Sequence, residues 1–177
     1  MQTKLLQIDF LYLDLNTCER CKTTDEALAE ALSALSGALH LLGYTINVRK
    51  INMETKALAE KHRFLSSPTI RVNGRDICAE VKESDCADCG DLCGSSVNCR
   101  VFLYEGREYD QPSATMIADG ILRALYGKVL PEAKAYILPD NLNLFFSSRE
   151  SDAFDQSGKQ PAGNAACCCA SPGGKCC

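Results

Sequence analysis

The sequence has no block of lysine and arginine residues, and this argues against nucleic acid as a partner. It carries 19 basic and 23 acidic residues, for a net charge of -4, without a cluster that would neutralise several phosphates. No run of about 18 apolar residues occurs, so no membrane span is expected. The first 15 residues place acids inside an apolar stretch, which predicts a strand and not a secretory signal. We therefore expect a cytoplasmic protein in a compartment that keeps thiols reduced.

Cysteine, by contrast, is abundant. The chain has 12 cysteines, and in a reducing compartment they indicate metal ligands or redox groups more than a disulfide framework. They form three separate clusters, each of which needs its own explanation. The clusters are Cys18 and Cys21; Cys78, Cys86, Cys89, Cys93 and Cys99; and Cys167, Cys168, Cys169, Cys176 and Cys177.

Hydrophobic periodicity predicts a mixed α/β domain over residues 1–127. Alternation over residues 5–13 and 44–51 predicts two strands, and apolar residues at helical spacing over 22–42 predict a helix between them. A strand, helix, strand order of this length implies a right-handed parallel crossover.

A short helix, a hairpin and a last helix complete the predicted domain. Residues 54–63 favour a short helix. Asn73 and Gly74 then separate two apolar runs, and Asn-Gly is a strong hairpin signal because both positions accept positive φ. Residues 99–104 predict a further strand, and Ser113 is placed to cap the last helix.

Regular patterns fade after residue 127. Residues 128–146 contain a short apolar side after Asp140, which predicts a docking segment with a one- or two-turn amphipathic helix. Residues 147–177 are predicted to be a flexible, cysteine-rich tail, because its first part is too poor in apolar groups to offset the entropy of ordering.

Cys18-Glu19-Arg20-Cys21 stands at the start of the first predicted helix, and Ser67-Pro68-Thr69 begins the third predicted strand. These two motifs resemble those of the thioredoxin superfamily. The resemblance covers roughly residues 3–127, with a cysteine-rich insertion at about 82–98, and the combination is similar to an uncharacterised prokaryotic thioredoxin-like family. It implies a thioredoxin-like α/β fold, with a mixed four- to five-stranded sheet flanked by helices.

The same resemblance implies roles for three residues. Cys18 would attack a disulfide, Cys21 would resolve the mixed disulfide, and a cis Pro68 would face the pair and present backbone to a substrate. A helix N-terminus also favours the thiolate on electrostatic grounds. The pair could instead supply two ligands of a structural zinc.

The middle cluster favours a bound metal. Cys86, Cys89, Cys93 and Cys99 lie in what is predicted to be a loop, and four thiolates at short spacing can close a tetrahedral zinc site that orders it. Disulfides or a second dithiol relay are the alternatives. Cys78 is predicted to be a simple core residue of a strand.

The terminal sequence CCCASPGGKCC predicts a segment that binds soft metal or metalloid ions. Thiolates select soft ions such as As(III) and Hg(II), and the five residues involved are Cys167, Cys168, Cys169, Cys176 and Cys177. The segment is similar to the tail of the arsenic metallochaperones. That likeness implies an ion pump or a regulator as the partner.

Three hypotheses for function follow. In the first, Cys18 and Cys21 carry out thiol–disulfide exchange with a protein or small-molecule disulfide, which would make the chain an oxidoreductase. The tail would in addition bind a soft metal or metalloid ion. Alternatively the chain is a non-enzymatic carrier of a thiophilic ion such as arsenite or mercury, or an interaction module stabilised by zinc.

Overall fold

A computed structural model describes residues 3–78, 80–86, 97–127 and 135–157, the last of these with side chains to residue 149 and residue 97 by its backbone. It contains seven strands and four helices within those ranges. In chain order they are β1 (Lys4–Tyr12), α1 (Glu19–Leu41), β2 (Tyr44–Asn52), α2 (Lys56–Lys61), β3 (Thr69–Val72), β4 (Arg75–Asp76), β5 (Lys82–Cys86), β6 (Val97–Tyr104), β7 (Arg107–Tyr109), α3 (Ala114–Tyr126) and α4 (Asp140–Ser157).

The fold is mixed α/β, as the sequence predicts. The first sheet has the order β2-β1-β3-β4, with β1 parallel to β2 and antiparallel to β3. The hairpin between β3 and β4 is confirmed: Asn73 and Gly74 have φ of 50° and 81°. The parallel pair requires a long crossover, which α1 supplies.

The strands after β4 form a second, antiparallel sheet of order β5-β6-β7. Part of this sheet falls in the segment 82–98, so the prediction of a loop is wrong at both ends of that segment. The sequence of β5, KESDC, is mostly polar and shows no alternation of apolar and polar residues, so it does not predict a strand. The segment forms a strand because it pairs with β6 from Lys82↔Val101 to Cys86↔Val97.

The helix α1 begins three residues earlier than the periodicity predicts. Cys18 is its N-cap, in extended backbone geometry, so Glu19 already belongs to the first turn. At the other end Gly43, with φ of 80°, takes the left-handed conformation that glycine adopts without strain. The cap of α3 by Ser113 is confirmed, because its hydroxyl accepts from the N–H of Met116.

The helix α4 is longer than predicted. The sequence predicts one or two turns followed by a flexible segment from residue 147, but the helix continues to Ser157. Ser147 and Ser148 donate their hydroxyls to the carbonyl oxygens of Asn143 and Leu144, four residues earlier. The hydroxyl groups of both serines therefore have hydrogen-bond partners within the helix. The buried residues Leu142, Phe145 and Phe146 attach its first turns to the domain. The five tail cysteines lie outside the described residues.

Two hydrophobic clusters pack on opposite faces of β1, which alternates side chains between them. The hydrocarbon cluster packs against α1 and α3, and its buried members are Leu6, Ile8, Phe10, Leu28, Ala31, Leu39, Ile70, Val72, Ile117 and Ile121. The thiol cluster packs against α2 and α4, and its buried members are Leu11, Leu13, Cys18, Cys21, Met53, Ala59, Phe64, Cys86, Cys99, Leu142, Phe145 and Phe146.

No helix within the described ranges has the length and apolar composition needed to cross a bilayer.

Candidate metal centre

Cys18 occupies the position where the chain turns from β1 into α1. The preceding loop is fixed by Asp14, whose carboxylate accepts the N–H of Thr17 at 2.8 Å. The Sγ atom of Cys18 then accepts the N–H of Cys21 at 3.4 Å, so sulfur fills the role that an oxygen usually has at an N-cap. The residue is fully buried.

Cys86 and Cys99 lie on one face of the β5–β6 hairpin. In the register of this hairpin Cys86 pairs with Val97, while Cys99 pairs with Ser84. Residues two apart on a strand point to the same face, so the two cysteines are diagonal neighbours. Both are buried.

The hairpin and the start of α1 bring three sulfur atoms together. The Sγ atoms of Cys18, Cys86 and Cys99 all lie within 4.8 Å of one another. Sulfur ligands of one zinc ion at a bond length of about 2.3 Å stand at comparable or shorter separations. This buried group can therefore hold a metal ion.

Arg20 attaches α1 to the hairpin beside the three sulfurs. Its guanidinium donates to the Ser84 hydroxyl at 2.8 Å and to the Asp85 carbonyl at 3.2 Å, and it lies 3.2 Å from the Asp110 carboxylate. Ser84 is the residue directly opposite Cys99. The side chain within the Cys-x-x-Cys motif thus fixes the distance between Cys18 and the hairpin.

Arg100 attaches the same hairpin to the first sheet. Its N–H donates to the Ser67 carbonyl at 2.7 Å, and its fully buried guanidinium contacts the Thr69 hydroxyl at 2.6 Å and the Asp76 carboxylate at 2.7 Å. Sequence patterns do not identify such a residue, because a charged side chain in a strand is normally exposed.

Cys21 points to a serine. Its Sγ lies 3.4 Å from the Ser67 hydroxyl, which also accepts the N–H of Leu13 at 3.1 Å. Both residues are fully buried, and the Ser67–Pro68 peptide bond is cis, as the resemblance of this motif implies. Cys21 is not a member of the three-sulfur group.

The helix α4 covers the three sulfurs with hydrocarbon. Leu142, Phe145 and Phe146 are buried in the thiol cluster, and the two rings meet edge to face with centroids 5.3 Å apart. Asn141 locks the helix to β6, because its side chain accepts the Asn98 N–H and donates to the Asn98 carbonyl, both at 2.9 Å. The site is thus closed by a helix that the sequence predicts only as a short docking turn.

Cys78 lies apart from this group. It is half-buried, outside any strand, and its N–H donates to the Asp76 carboxylate at 2.9 Å. The prediction that it lies in a strand is therefore wrong, because β4 ends at Asp76. Burial raises the pKa of the Cys78 thiol above its ordinary value, although the charge of Arg100 opposes this. A protonated thiol is a poor metal ligand.

The grouping of the cysteines differs from the one predicted. The sequence assigns Cys18 and Cys21 to one site and Cys86 and Cys99 to another, with Cys89 and Cys93, which lie outside the described residues. The structure instead places Cys18 with Cys86 and Cys99. The spacing of the cysteines along the chain could not reveal this grouping. The contact of Cys18 with Cys86 and Cys99 depends on the register of the β5–β6 hairpin and on the hydrogen bonds that join Arg20 to β5.

A model of one protein family matches residues 6–121, which is most of the domain and includes Cys18, Cys86 and Cys99. The chain belongs to the family described as a domain of unknown function, DUF2703. Searches of curated proteins and of solved structures gave no match to the chain. Membership in this family therefore assigns no reaction or ligand.

Proposed function

We propose that this protein binds a thiophilic metal or metalloid ion through the thiolates of Cys18, Cys86 and Cys99. The observation that carries the proposal is the mutual distance of their Sγ atoms, all within 4.8 Å, in a buried setting. Soft sulfur ligands select soft ions. Burial protects such a complex from exchange with water.

The burial of Cys18 favours binding over disulfide exchange. A thiolate that attacks a protein disulfide has to reach the sulfur of its partner, and reactive cysteines are at least partly exposed for this reason. Cys18 and Cys21 both have 0% relative exposure. An ion or a small hydroxide complex can enter where a protein disulfide cannot.

We infer that the ion site is built on a thioredoxin-like domain. The order of elements from β1 to β4 followed by α3, the Cys-x-x-Cys motif at the start of α1 and the Ser67-Pro68 pair at the start of β3 support this relationship. In this interpretation the first cysteine of the motif has become an ion ligand. The new partners come from the β5–β6 hairpin.

The terminal cysteines extend the same proposal. We propose that Cys167 to Cys169 with Cys176 and Cys177 form a second soft-ion segment, which exchanges an ion with the buried site and with a pump or a regulator. Such exchange needs reduced thiols, and this favours the cytoplasm.

Thiol–disulfide exchange is the second candidate function. It is favoured by the position of Cys18, whose sulfur accepts an N–H at the first turn of α1, an arrangement that stabilises a thiolate. In that case Cys21 would resolve the mixed disulfide, and a local opening of α4 would have to precede each turnover.

A titration with arsenite, Hg(II) and Zn(II) tests the first proposal. The full-length chain with its five tail cysteines changed to serine is the background, and ion binding is followed by ultraviolet charge-transfer absorbance. We expect one ion per chain. Cys18→Ser, Cys86→Ser and Cys99→Ser should each weaken binding by more than about 100-fold, since changes outside the ligands alone cost about 10- to 100-fold.

Cys78→Ser is the matched control, because it removes a half-buried cysteine outside the group and should leave binding unchanged. If it weakens binding as much as the other three variants, the assignment of the ligands is wrong. Disulfide turnover that requires Cys18 and Cys21 but not Cys86 or Cys99 would support the second function instead.

A further inference from the structure

The charge of the buried site restricts the ion that it can hold. Three thiolates carry three negative charges, so a trivalent ion gives a neutral complex and a divalent ion leaves one negative charge. An unbalanced charge in an apolar interior is costly. The side chains buried in the same cluster as the sulfurs include the apolar Leu13, Phe145 and Phe146.

The two nearby arginines already have acidic partners. Arg20 lies 3.2 Å from the carboxylate of Asp110, and Arg100 lies 2.7 Å from that of Asp76. On β6, moreover, Arg100 alternates with Cys99 and so projects from the opposite face of the strand. Neither cation is therefore available to balance an anionic complex of the three thiolates.

The coordination number points the same way. Zinc in structural sites takes four ligands in a tetrahedron, whereas a trivalent metalloid takes three sulfurs and keeps a lone pair on the fourth side. Among the described residues Cys21 is the nearest candidate for a fourth sulfur, since it stands three residues after Cys18, but its Sγ lies 3.4 Å from the Ser67 hydroxyl and it lies outside the group. The apolar side chains of α4 in the thiol cluster could pack against the side of the metalloid that carries the lone pair, because a lone pair needs no ligand there.

We propose that the site is specific for a trivalent metalloid of the As(III) and Sb(III) class, and that Ser67 sets this specificity by holding Cys21 away. This inference rests on the proposed ion-binding function and names its substrate. Arsenious acid, As(OH)₃, reacts with three thiols: three As–O bonds break, three As–S bonds form and three waters leave. The oxidation state of arsenic and of sulfur does not change, so no oxidant or reductant is needed.

Ser67 is well placed for this role. Its hydroxyl oxygen accepts the N–H of Leu13, which fixes the oxygen, and the same oxygen lies within hydrogen-bond distance of the Cys21 sulfur, either of which can donate to the other. Without that hydroxyl Cys21 is expected to turn toward the other sulfurs. A fourth thiolate would then create the tetrahedral set that zinc prefers.

The test uses the full-length chain with the five tail cysteines changed to serine, with arsenite and Zn(II) as probes. X-ray absorption on the arsenite complex should show three sulfurs around arsenic. Arsenite should displace Zn(II) in competition. Cys21→Ser should leave arsenite affinity within about threefold, well below the effect of losing a residue that orients a ligand.

Ser67→Ala should raise Zn(II) affinity by about tenfold or more, the size of effect that ligand-positioning residues have. The double variant Ser67→Ala with Cys21→Ser should lose that gain. Circular dichroism of each variant reports whether it is folded. If Ser67→Ala does not fold, the sulfur count and the Cys21→Ser variant still decide the matter.

The inference is overturned if arsenic shows fewer or more than three sulfurs, if Cys21→Ser weakens arsenite binding as a ligand variant does, or if Zn(II) outcompetes arsenite. These results would leave the proposed ion-binding function intact. That function fails separately, if none of the probes binds in a manner that depends on Cys18, Cys86 and Cys99.

Discussion

The hydrocarbon cluster and the thiol cluster lie on opposite faces of β1, and they are assembled in different ways. Leu6, Ile8 and Phe10 project into the hydrocarbon cluster, which α1 and α3 complete with long apolar stripes. Leu11 and Leu13 project into the thiol cluster, whose other members come from loops, the β5–β6 hairpin, α4 and single positions of α1 and α2. One face is thus a core that regular periodicity specifies.

The thiol face is held in place by polar clamps as much as by packing. Arg20 joins α1 to β5, Arg100 joins β6 to β3, and Asn141 joins α4 to β6. Each clamp satisfies buried or half-buried polar groups that would otherwise be costly. One strand thus supports both a structural core and a candidate site whose cysteines are positioned by a few specific hydrogen bonds.

A pair of substitutions should separate the two faces most clearly. Phe10→Ala removes a fully buried ring from the hydrocarbon cluster, and we expect a loss of about 3–5 kcal/mol in the free energy of unfolding. Cys99→Ala removes a smaller group from the thiol cluster, and we expect a loss of about 1 kcal/mol. Urea unfolding, followed by circular dichroism, measures both.

Ion binding should show the opposite order. Folded Phe10→Ala should still bind one ion per chain, whereas Cys99→Ala should bind the ion more than about 100-fold more weakly. Tyr126→Ala serves as a control for the loss of a ring, because Tyr126 is 59% exposed and its replacement should cost less than about 0.5 kcal/mol. If Cys99→Ala destabilises the chain as much as Phe10→Ala, the thiol cluster is a structural core like its neighbour.

The hydrocarbon face is also the part that the sequence predicts well. Alternation in β1 and β2, the helical stripe of α1, the Asn73-Gly74 turn and the Ser113 cap each depend on residues close together in the chain. These local signals agree with one another. The tertiary structure did not have to override them.

The thiol face could not be predicted in the same way. β5 owes its strand conformation to β6, and the group of Cys18, Cys86 and Cys99 depends on contacts across more than 60 residues. The sequence shows that Arg20 lies inside a Cys-x-x-Cys motif, but it does not predict the hydrogen bond from Arg20 to Ser84. Cysteine spacing predicts soft ligands, and that remains a prediction, but long-range register decides which of the cysteines meet.

Arg20→Gln should sharpen the distinction between clamp and ligand. Losing the bonds to Ser84 and Asp85 and the ion pair with Asp110 should let the hairpin drift from α1. We expect ion affinity to fall by about tenfold, as for other ligand-positioning residues, with the sulfur count unchanged. Competition titration and X-ray absorption measure the two quantities.

Arg123→Gln is the matched control for Arg20→Gln. Arg123 also forms an ion pair, with Asp119 at 2.7 Å, but on the exposed surface of α3. It should leave ion affinity unchanged. Arg20→Lys, which keeps the charge without the forked donors, should lie between the wild type and Arg20→Gln. Equal affinities for all of these variants would show that packing alone positions the sulfurs.

The smallest expected effect concerns Asp9, which shares a face of β1 with Leu11 but lies away from the sulfurs. Burial raises the pKa of this carboxyl, but hydrogen bonds from Arg49 and Gln7 outweigh it, so the pKa is lowered from its ordinary value of 3.8. A lowered pKa means that the carboxylate stabilises the fold fully above pH 3.8, and that this contribution is lost as the pH falls further.

The wild type should therefore have a higher free energy of unfolding than Asp9→Asn at neutral pH, and the difference between them should become smaller in acid. Urea titrations at neutral pH and near pH 3, about one unit below the ordinary carboxyl pKa, measure this difference, and a constant gap would contradict the ionic role of Asp9. Ion affinity should be the same in both proteins at neutral pH, because the hydrogen bonds of Asp9 are to Arg49 and Gln7, which are not members of the thiol cluster.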